Sequence, residues 1–357
     1  MNSLALVVIA RDESRCIERC LESARGWVDE MWVLDTGSRD STADLAAACG
    51  AQVAHFGWQD DFAAARNAAL QLTHAPWRLV LDADEWIAAP PAQAADLLGE
   101  LRAFCQREAP SIGALRVISQ TDAAAGAVHE SPSWLPRLLP AGVLYTGRIH
   151  EQPDSALPRQ RLGLPVLHDG YRQAQLAAKH DRNLRLLRQS LDDDPDDAYL
   201  RYQLGKEHEL RGDFDQAHAA YALALPTCPL QAGWRHDLVL RSLFSLKKRG
   251  HFTQAWQLAQ SEAPHWSHSP DFHFTLGDLL LDWALSEPQR AAQCLPEIEA
   301  HWLRCIDIGE RPELQDSVSG RGSWLAAHNL AVFHGSLGNA AAAAQWQQRA
   351  VPPQPAA

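Results

Sequence analysis

Hydrophobic positions near the start of the chain fall into short continuous runs separated by amphipathic stretches. Residues 4–10 read Leu-Ala-Leu-Val-Val-Ile-Ala, an unbroken run that predicts a strand buried on both faces. A helix should follow, with Ser14 as its N-cap and Ile17, Cys20, Leu21 and Ala24 on one face. Residues 31–35 form a second run that ends in Asp-Thr-Gly-Ser, and Ser38 or Asp40 is placed to cap the next helix, which stops at Gly50. Residues 51–56 make a third strand and 62–73 a helix. A fourth strand, 77–81, runs straight into Asp82-Ala83-Asp84-Glu85. Strand, helix and strand at this spacing predict right-handed crossovers and a parallel sheet covered by helices on both faces.

Beyond residue 92 the pattern loosens. A long helix through Phe104 leads to shorter strand candidates at 114–119, 134–139 and 164–168, with proline-rich punctuation between them. These read as a second half of the same domain, with irregular loops of the kind that carry function. After residue 174 the chain turns helical. A long amphipathic segment, 176–191, ends at Asp192-Asp193-Asp194-Pro195, and a repeat of about 34 residues begins. Its clearest copy has Leu204 and Gly205 early, Ala217 and Tyr221 in the second helix, then Ala224 and Pro229. This fits the tetratricopeptide scheme, in which small residues sit where paired helices touch and a large one fills the gap. Weaker copies lie around Gly250 with Ala255, around Leu276-Gly277, and around Asn329-Leu330-Ala331 with Gly338, Ala343 and Ala350; the third carries an insertion near 286–293. Three to four copies suffice to bury a solenoid core. The expected domains are 1–190 and 191–351, with a frayed tail at 352–357.

Composition narrows the function. Of 357 residues, 32 are Lys or Arg and 44 Asp or Glu, for a net charge of −12, which argues against nonspecific nucleic-acid binding. No apolar run approaches a membrane span and the start lacks a signal-peptide pattern, so a soluble, cytoplasmic chain is expected. The seven cysteines form no C-x-x-C pair, and Cys16 and Cys20, one helical turn apart, read as core-facing.

In an open parallel sheet, ligands bind beyond the carboxyl ends of the strands. The first strand ends at Ala10-Arg11-Asp12-Glu13, the second at Asp35-Thr36 and the fourth at Asp82-Ala83-Asp84. Acids gathered on one rim repel unless a cation or hydrogen-bond donors are shared, and a divalent metal holding a diphosphate satisfies that need. Asp82 and Asp84, two apart on extended chain, leave the backbone on the same side. Oxygen-only ligands suit Mg²⁺ or Mn²⁺, with substrate phosphates completing the shell. Asp-x-Asp alone is a weak motif that usually marks a solvated turn; its place directly after a buried strand is what lends it weight. The chain has neither G-x-x-x-x-G-K-[ST] nor G-x-G-x-x-G after the first strand, which disfavours P-loop ATP hydrolysis and dinucleotide-dependent dehydrogenation.

Residues 7–13 (Val-Val-Ile-Ala-Arg-Asp-Glu), 33–38 (Val-Leu-Asp-Thr-Gly-Ser) with 40–42, Ala65-Arg66-Asn67, and 81–85 (Leu-Asp-Ala-Asp-Glu) resemble the signature series of family 2 glycosyltransferases of GT-A fold. Arg148-Ile149-His150-Glu151 and His168-Asp169-Gly170-Tyr171 resemble later motifs of a subgroup whose catalytic domain precedes tetratricopeptide-like repeats; lipopolysaccharide-core glucosyltransferases and peptide S-glycosyltransferases are similar here. The resemblance implies an α/β GT-A domain, Rossmann-like with a mostly parallel sheet, followed by an all-α solenoid. It implies that Ala10, Glu13 and Asp35 hold the nucleobase and ribose of a UDP-sugar, with Asp35 accepting from the uracil N–H, and that Arg66 lies near the nucleotide. Asp84 would ligate the metal, with Asp82 assisting at ribose or metal and His168 as an extra ligand. For Arg66 the plain alternative is an exposed helical side chain, and for His168 a structural one.

An inverting transfer also needs a carboxylate to take the acceptor's proton. Glu151 in the Arg-Ile-His-Glu motif is the first candidate and Asp169 the second; an ion pair with Arg148 or a helix cap is the other use for Glu151. The expected activity is metal-dependent transfer of a hexose such as glucose to a peptide, protein or lipopolysaccharide-type glycan. The repeats would suit a peptide or protein acceptor, a partner protein, a homodimer contact or mere scaffold. The competing reading is a non-catalytic repeat adaptor with a degenerate transferase domain. A nucleotidyltransferase would need a Gly-rich, basic first loop, which Arg11-Asp12-Glu13-Ser14 does not supply.

Overall fold

The computed structural model describes residues 3–122, 128–169, 173–314 and 316–352. Gly170 and Tyr171 of the late motif, and the expected tail apart from Pro352, lie outside them. The chain forms two compact units, Met1–Pro195 and Asp196–Ala357.

In the first unit, β1 (Leu4–Ala10) lies between β2 (Glu30–Asp35) and β4 (Trp77–Asp82), parallel to both, and β3 (Gln52–His55) extends the parallel set beyond β2. The alternation of side chains explains why β1 is apolar throughout. Leu4, Leu6, Val8 and Ala10 join Ile17, Cys20 and Leu21 of α1 (Ile17–Ala24) and Leu101 and Phe104 of α4 (Ala94–Cys105) in one core. Ala5 and Val7 point the other way, to Ala63, Ala69 and Leu70 of α3 (Phe62–Leu70). A strand with apolar neighbours on both faces has no solvent side to make polar.

The other half of the sheet is not simply parallel. β7 (Val128–Pro140) runs antiparallel to both β4 and β6 (Ile112–Asp122). β10 (Arg159–His168) is parallel to β6, and β5 (Glu85–Ile87) closes the edge antiparallel to β10. Four of the seven pairings in this eight-stranded sheet are parallel. A small hairpin, β8 (Leu144–Thr146) with β9 (Gln152–Asp154), carries the Arg148–Glu151 loop between its strands.

The expected cap at Ser14 does not form. The helix starts at Ile17, because Asp12 adopts φ +54° and turns the chain so that the Glu13 carbonyl accepts from the N–H groups of Cys16 and Ile17. Ser14 instead donates its N–H to Asp40 Oδ2 at 3.1 Å. Asp40 also accepts from the Thr42 N–H at 3.0 Å, at the start of α2 (Thr42–Ala48). Cys16 and Cys20 are buried.

After α5 (Gln173–Asp193), the second unit stacks helix pairs: α6 (Ala198–Leu210) with α7 (Phe214–Ala224), α8 (Arg235–Lys248) with α9 (Phe252–Trp266), α10 (Pro270–Ser286) with α11 (Ala291–Ile308), and α12 (Trp324–Ser336) with α13 (Ala340–Arg349). Glycine is required where a large ring crosses its helix: a Cβ on Gly205 would meet the Tyr221 ring at 2.2 Å, and one on Gly277 the Trp302 ring at 2.4 Å. The insertion in the third pair is a 3₁₀ turn at Pro288–Arg290. Among the described residues no helix is long and apolar enough to cross a membrane.

Candidate active site

The strand ends named from the sequence are level with one another. Ala10 pairs with Asp35, and its neighbour Ile9 with Asp82, so Asp35 and Asp82 stand two strands apart, about 10 Å by ordinary sheet spacing. The two loops leaving β1 and β2 are knitted together. Asp12 donates its N–H to Ser38 Oγ at 3.0 Å, Glu13 donates its own to Thr42 Oγ1 at 2.8 Å, and Asp12 Oδ1 accepts from the Arg39 N–H at 2.7 Å. Thr36 donates both N–H and hydroxyl to the Ala10 carbonyl. Backbone groups of Ala10 and Glu13 thus hold the loop frame, and Glu13 Oε2 accepts from the Cys16 thiol.

Asp35 is only 3% exposed. Burial alone would raise its pKa, but hydrogen bonding from the Ser38 side chain and from the Ser38 and Gly37 N–H groups outweighs that and holds it below the usual carboxylate range. Gly37 has φ +105°, the left-handed backbone that lets two successive N–H groups turn toward one oxygen. The other oxygen, Oδ2, is buried with no hydrogen-bond partner, and exposed His55 places Nδ1 3.6 Å from Oδ1.

Asp82 meets two arginines. Arg66 Nη2 donates to its Oδ1 at 2.6 Å and Arg137 Nη2 to its Oδ2 at 2.7 Å. The same two guanidinium groups reach further acids: Arg66 Nε donates to Glu151 Oε1, and Arg137 Nη2 to Glu85 Oε1. The result is an alternating chain, Glu151–Arg66–Asp82–Arg137–Glu85, assembled from four separate stretches of sequence. Burial opposes the charge on Asp82, yet Arg137 and Arg66 together drive its pKa far down; for Glu85, burial prevails and pushes the pKa up. Of the strand-end acids for which a shared dication was expected, Asp82 is compensated by two arginines. Arg66 is buried, not an exposed helical side chain, and Glu151 pairs with it and not with Arg148, which reaches Asp193. Arg137 had no signal in the sequence: Pro136-Arg137-Leu138 does not reveal that an antiparallel β7 lies beside β4 and aims it at Asp82.

Asp84 and His168 come together from β4's end and the end of β10, with Nε2 3.5 Å from Oδ1, both largely buried. Asp169, the next residue, donates its N–H to the Asp84 carbonyl at 3.4 Å. Its carboxylate is gripped by Arg15 at 2.9 and 3.0 Å and by Arg19 at 2.8 Å. Burial would raise its pKa, but those hydrogen bonds pull it below the usual range, which makes Asp169 a poor proton acceptor. Among the described residues no three His, Cys, Asp or Glu side chains gather as a metal-ligand set. Asp84 with His168 is a two-ligand set, which is enough for Mg²⁺ or Mn²⁺ when substrate phosphates and waters fill the other positions. Asp82 keeps a third of its side chain exposed and can still accept from a ligand.

Comparisons with known proteins bear on the same stretch. Residues 5–102 match the family model described as glycosyl transferase family 2. The chain is 32% identical over 265 residues to a TPR repeat-containing protein of Synechococcus elongatus, covering 70% of this chain and 63% of that one. It is 26% identical over 220 residues to the SPbeta prophage-derived glycosyltransferase SunS of Bacillus subtilis, covering 59% and 50%. The chain therefore spans between half and two thirds of the length of these relatives. Among solved structures it is similar to MamA (13% identity, TM-score 0.38, covering 50% of this chain and 90% of that one). It is also similar to glucosyl-3-phosphoglycerate synthase of Mycobacterium tuberculosis (22%, TM-score 0.27, covering 33% and 44%). The parallel half of the first unit thus matches glycosyl transferase family 2, and the chain joins it to tetratricopeptide-like repeats.

Proposed function

We propose that this chain is a glycosyltransferase that moves a hexose, such as glucose, from a UDP-sugar to a hydroxyl or thiol acceptor with inversion. The observation that carries the reading is the meeting of Asp84 and His168 at the carboxyl ends of β4 and β10, level with the acidic ends of β1 and β2. The family 2 match, which spans β1, β2 and β4, supports it. Asp35, with one oxygen buried and unsatisfied, is suited to accept from a nucleobase N–H. Asp84 and His168 would hold Mg²⁺ or Mn²⁺, which when bound stabilises the charge growing on the leaving diphosphate.

In the transfer, the bond between the anomeric carbon and the β-phosphate oxygen breaks, and its electron pair leaves with UDP. The acceptor atom bonds the anomeric carbon from the opposite face, and its proton passes to Glu151. Of the two candidates for that role, Asp169 has both carboxylate oxygens engaged by arginines and is tied to the metal-side turn, whereas Arg66 engages Glu151 through Oε1, so Glu151 is preferred. The repeats would receive a peptide or protein acceptor or a partner that delivers one.

Calorimetry with UDP and Mn²⁺, followed by UDP release from UDP-glucose, tests the reading. Binding that depends on Mn²⁺ is expected. No heat with UDP and no consumption of any sugar nucleotide would turn the chain into the adaptor.

A further inference from the structure

Arg66 lies on α3 with a buried guanidinium that faces both halves of the domain at once. Nη2 holds Asp82 at the end of β4, on the side where the donor would sit, and Nε holds Glu151 in the loop between β8 and β9. That loop is docked on the same helix, since the Phe62 N–H at the start of α3 donates to the Arg148 carbonyl at 2.8 Å. His150, just before Glu151, takes φ +52°, an uncommon backbone for a bulky residue that fixes where Glu151 emerges. Asn67, next to Arg66, closes a pair of hydrogen bonds with the backbone of Tyr145 on β8, at 2.9 and 2.8 Å. The remaining nitrogen, Nη1, is buried and has no hydrogen-bond partner. The Arg66 side chain is only 7% exposed, so it offers almost no surface to a nucleotide.

We propose that Arg66 is a positioning residue, not a nucleotide ligand: its one rigid guanidinium sets Glu151 relative to Asp82, and so sets the proton acceptor relative to the donor. The inference rests on the glycosyltransferase reading and adds to it a mechanical link between the two substrate halves. Arginine is needed because its planar fork bonds two carboxylates in fixed directions, whereas a lysine ammonium is a single point on a flexible stem.

The test is a kinetic cycle on UDP-glucose hydrolysis with Mn²⁺, using Arg66→Lys, Glu151→Gln and the double variant, each checked for folding by circular dichroism. Arg66→Lys should lower kcat by about 10- to 100-fold and leave KM for UDP-glucose within about threefold. In the Glu151→Gln background it should change the remaining rate by less than about threefold, because Arg66 acts through Glu151. If Arg66→Lys does not fold, an Asp82→Asn/Glu151→Gln cycle on kcat reads the same link: effects that fall short of multiplying support it, and independent ones sink it. A tenfold rise in KM and in the Kd for UDP, with kcat kept, would make Arg66 a nucleotide ligand and overturn the inference while leaving the activity in place. If the wild-type chain neither binds UDP nor turns over the donor, the reading fails and this inference falls with it.

Discussion

Each unit buries a chain of alternating charges, and the two differ in what surrounds them. In the second unit, Tyr202 and Arg241 both donate to Asp237, and Arg241 and Tyr221 both donate to Glu209. Its members sit on three successive helices, α6, α7 and α8, and Lys206 adds a second positive charge that helps hold Asp237 ionised. Two acids thus face two cations, and the network knits neighbouring repeats. In the first unit, three acids share two arginines, and the cluster stands at a strand's carboxyl end beside Asp84 and His168. A buried ion network by itself does not mark a site, since structural ones perturb pKa values as strongly. Excess charge at the strand ends of an α/β sheet is the distinguishing feature.

The comparison breaks most sharply on Asp84. Asp84→Ala should lower UDP-sugar turnover by about 10³-fold or more and abolish the Mn²⁺-dependence of UDP binding in calorimetry, and a chelator should do the same to the wild-type chain. Retained turnover would reduce the first cluster to the status of the second. Arg241→Met provides the contrast. It leaves buried Asp237 and half-buried Glu209 without their main partner and should cost about 3–5 kcal/mol in urea unfolding, while turnover per folded molecule stays within twofold. Arg137→Met should cost a comparable amount but also reduce turnover, since it frees one side of Asp82.

The legible part of the site was the part written in local pattern. Asp35, Asp82 and Asp84 stand out because each follows an apolar run that can only be a strand, and a strand's end is a place in the fold. Gly205 and Tyr221 stand out because a helical period fixes which side chains face each other. What stayed hidden was pairing across long separations. Nothing near Arg137 marks an antiparallel β7, and nothing in Arg148-Ile149-His150-Glu151 shows that the fourth residue turns to a helix 85 positions back while the first turns to Asp193. The absent Ser14 cap has the same origin in miniature: Asp40, 26 residues on, claimed the Ser14 N–H for the loop lattice.

A smaller effect sharpens the account of the repeats. Gly205→Ala and Gly277→Ala each place a methyl group inside a ring's space, so each should destabilise by about 1–3 kcal/mol through overpacking. Gly335→Ala is the control, since its Cβ would meet only Ala343 at 3.9 Å. That substitution should be neutral or slightly stabilising, because alanine suits a helix interior better than glycine. Equal losses at all three positions would mean that the close crossings at Tyr221 and Trp302 are not what holds the pairs.

The smallest predicted effect concerns a polar contact that carries no charge. His273 on α10 and His301 on α11 face each other Nδ1 to Nδ1 at 2.9 Å, which works only when one ring donates and the other accepts. His301 Nε2 is buried without a partner, so a second proton there finds no acceptor. Burial, and then the neighbouring His273, push the His301 pKa down to about 4. Unfolded, the same ring titrates near ~6.5. The unfolded chain therefore takes up a proton first as the medium is acidified, and the stability gained from a neutral His301 is complete above pH ~6.5 and lost progressively toward pH ~4. The expected loss across that window is about 1–2 kcal/mol, read as the difference in urea midpoints at pH 7 and pH 4.5. Carboxylates protonating at the low end act in both chains, so the comparison is with His301→Gln, whose amide can donate to His273 but binds no proton. Its stability should fall less over the window than that of the parent; an identical slope would place the acid sensitivity of the repeats in their carboxylates alone.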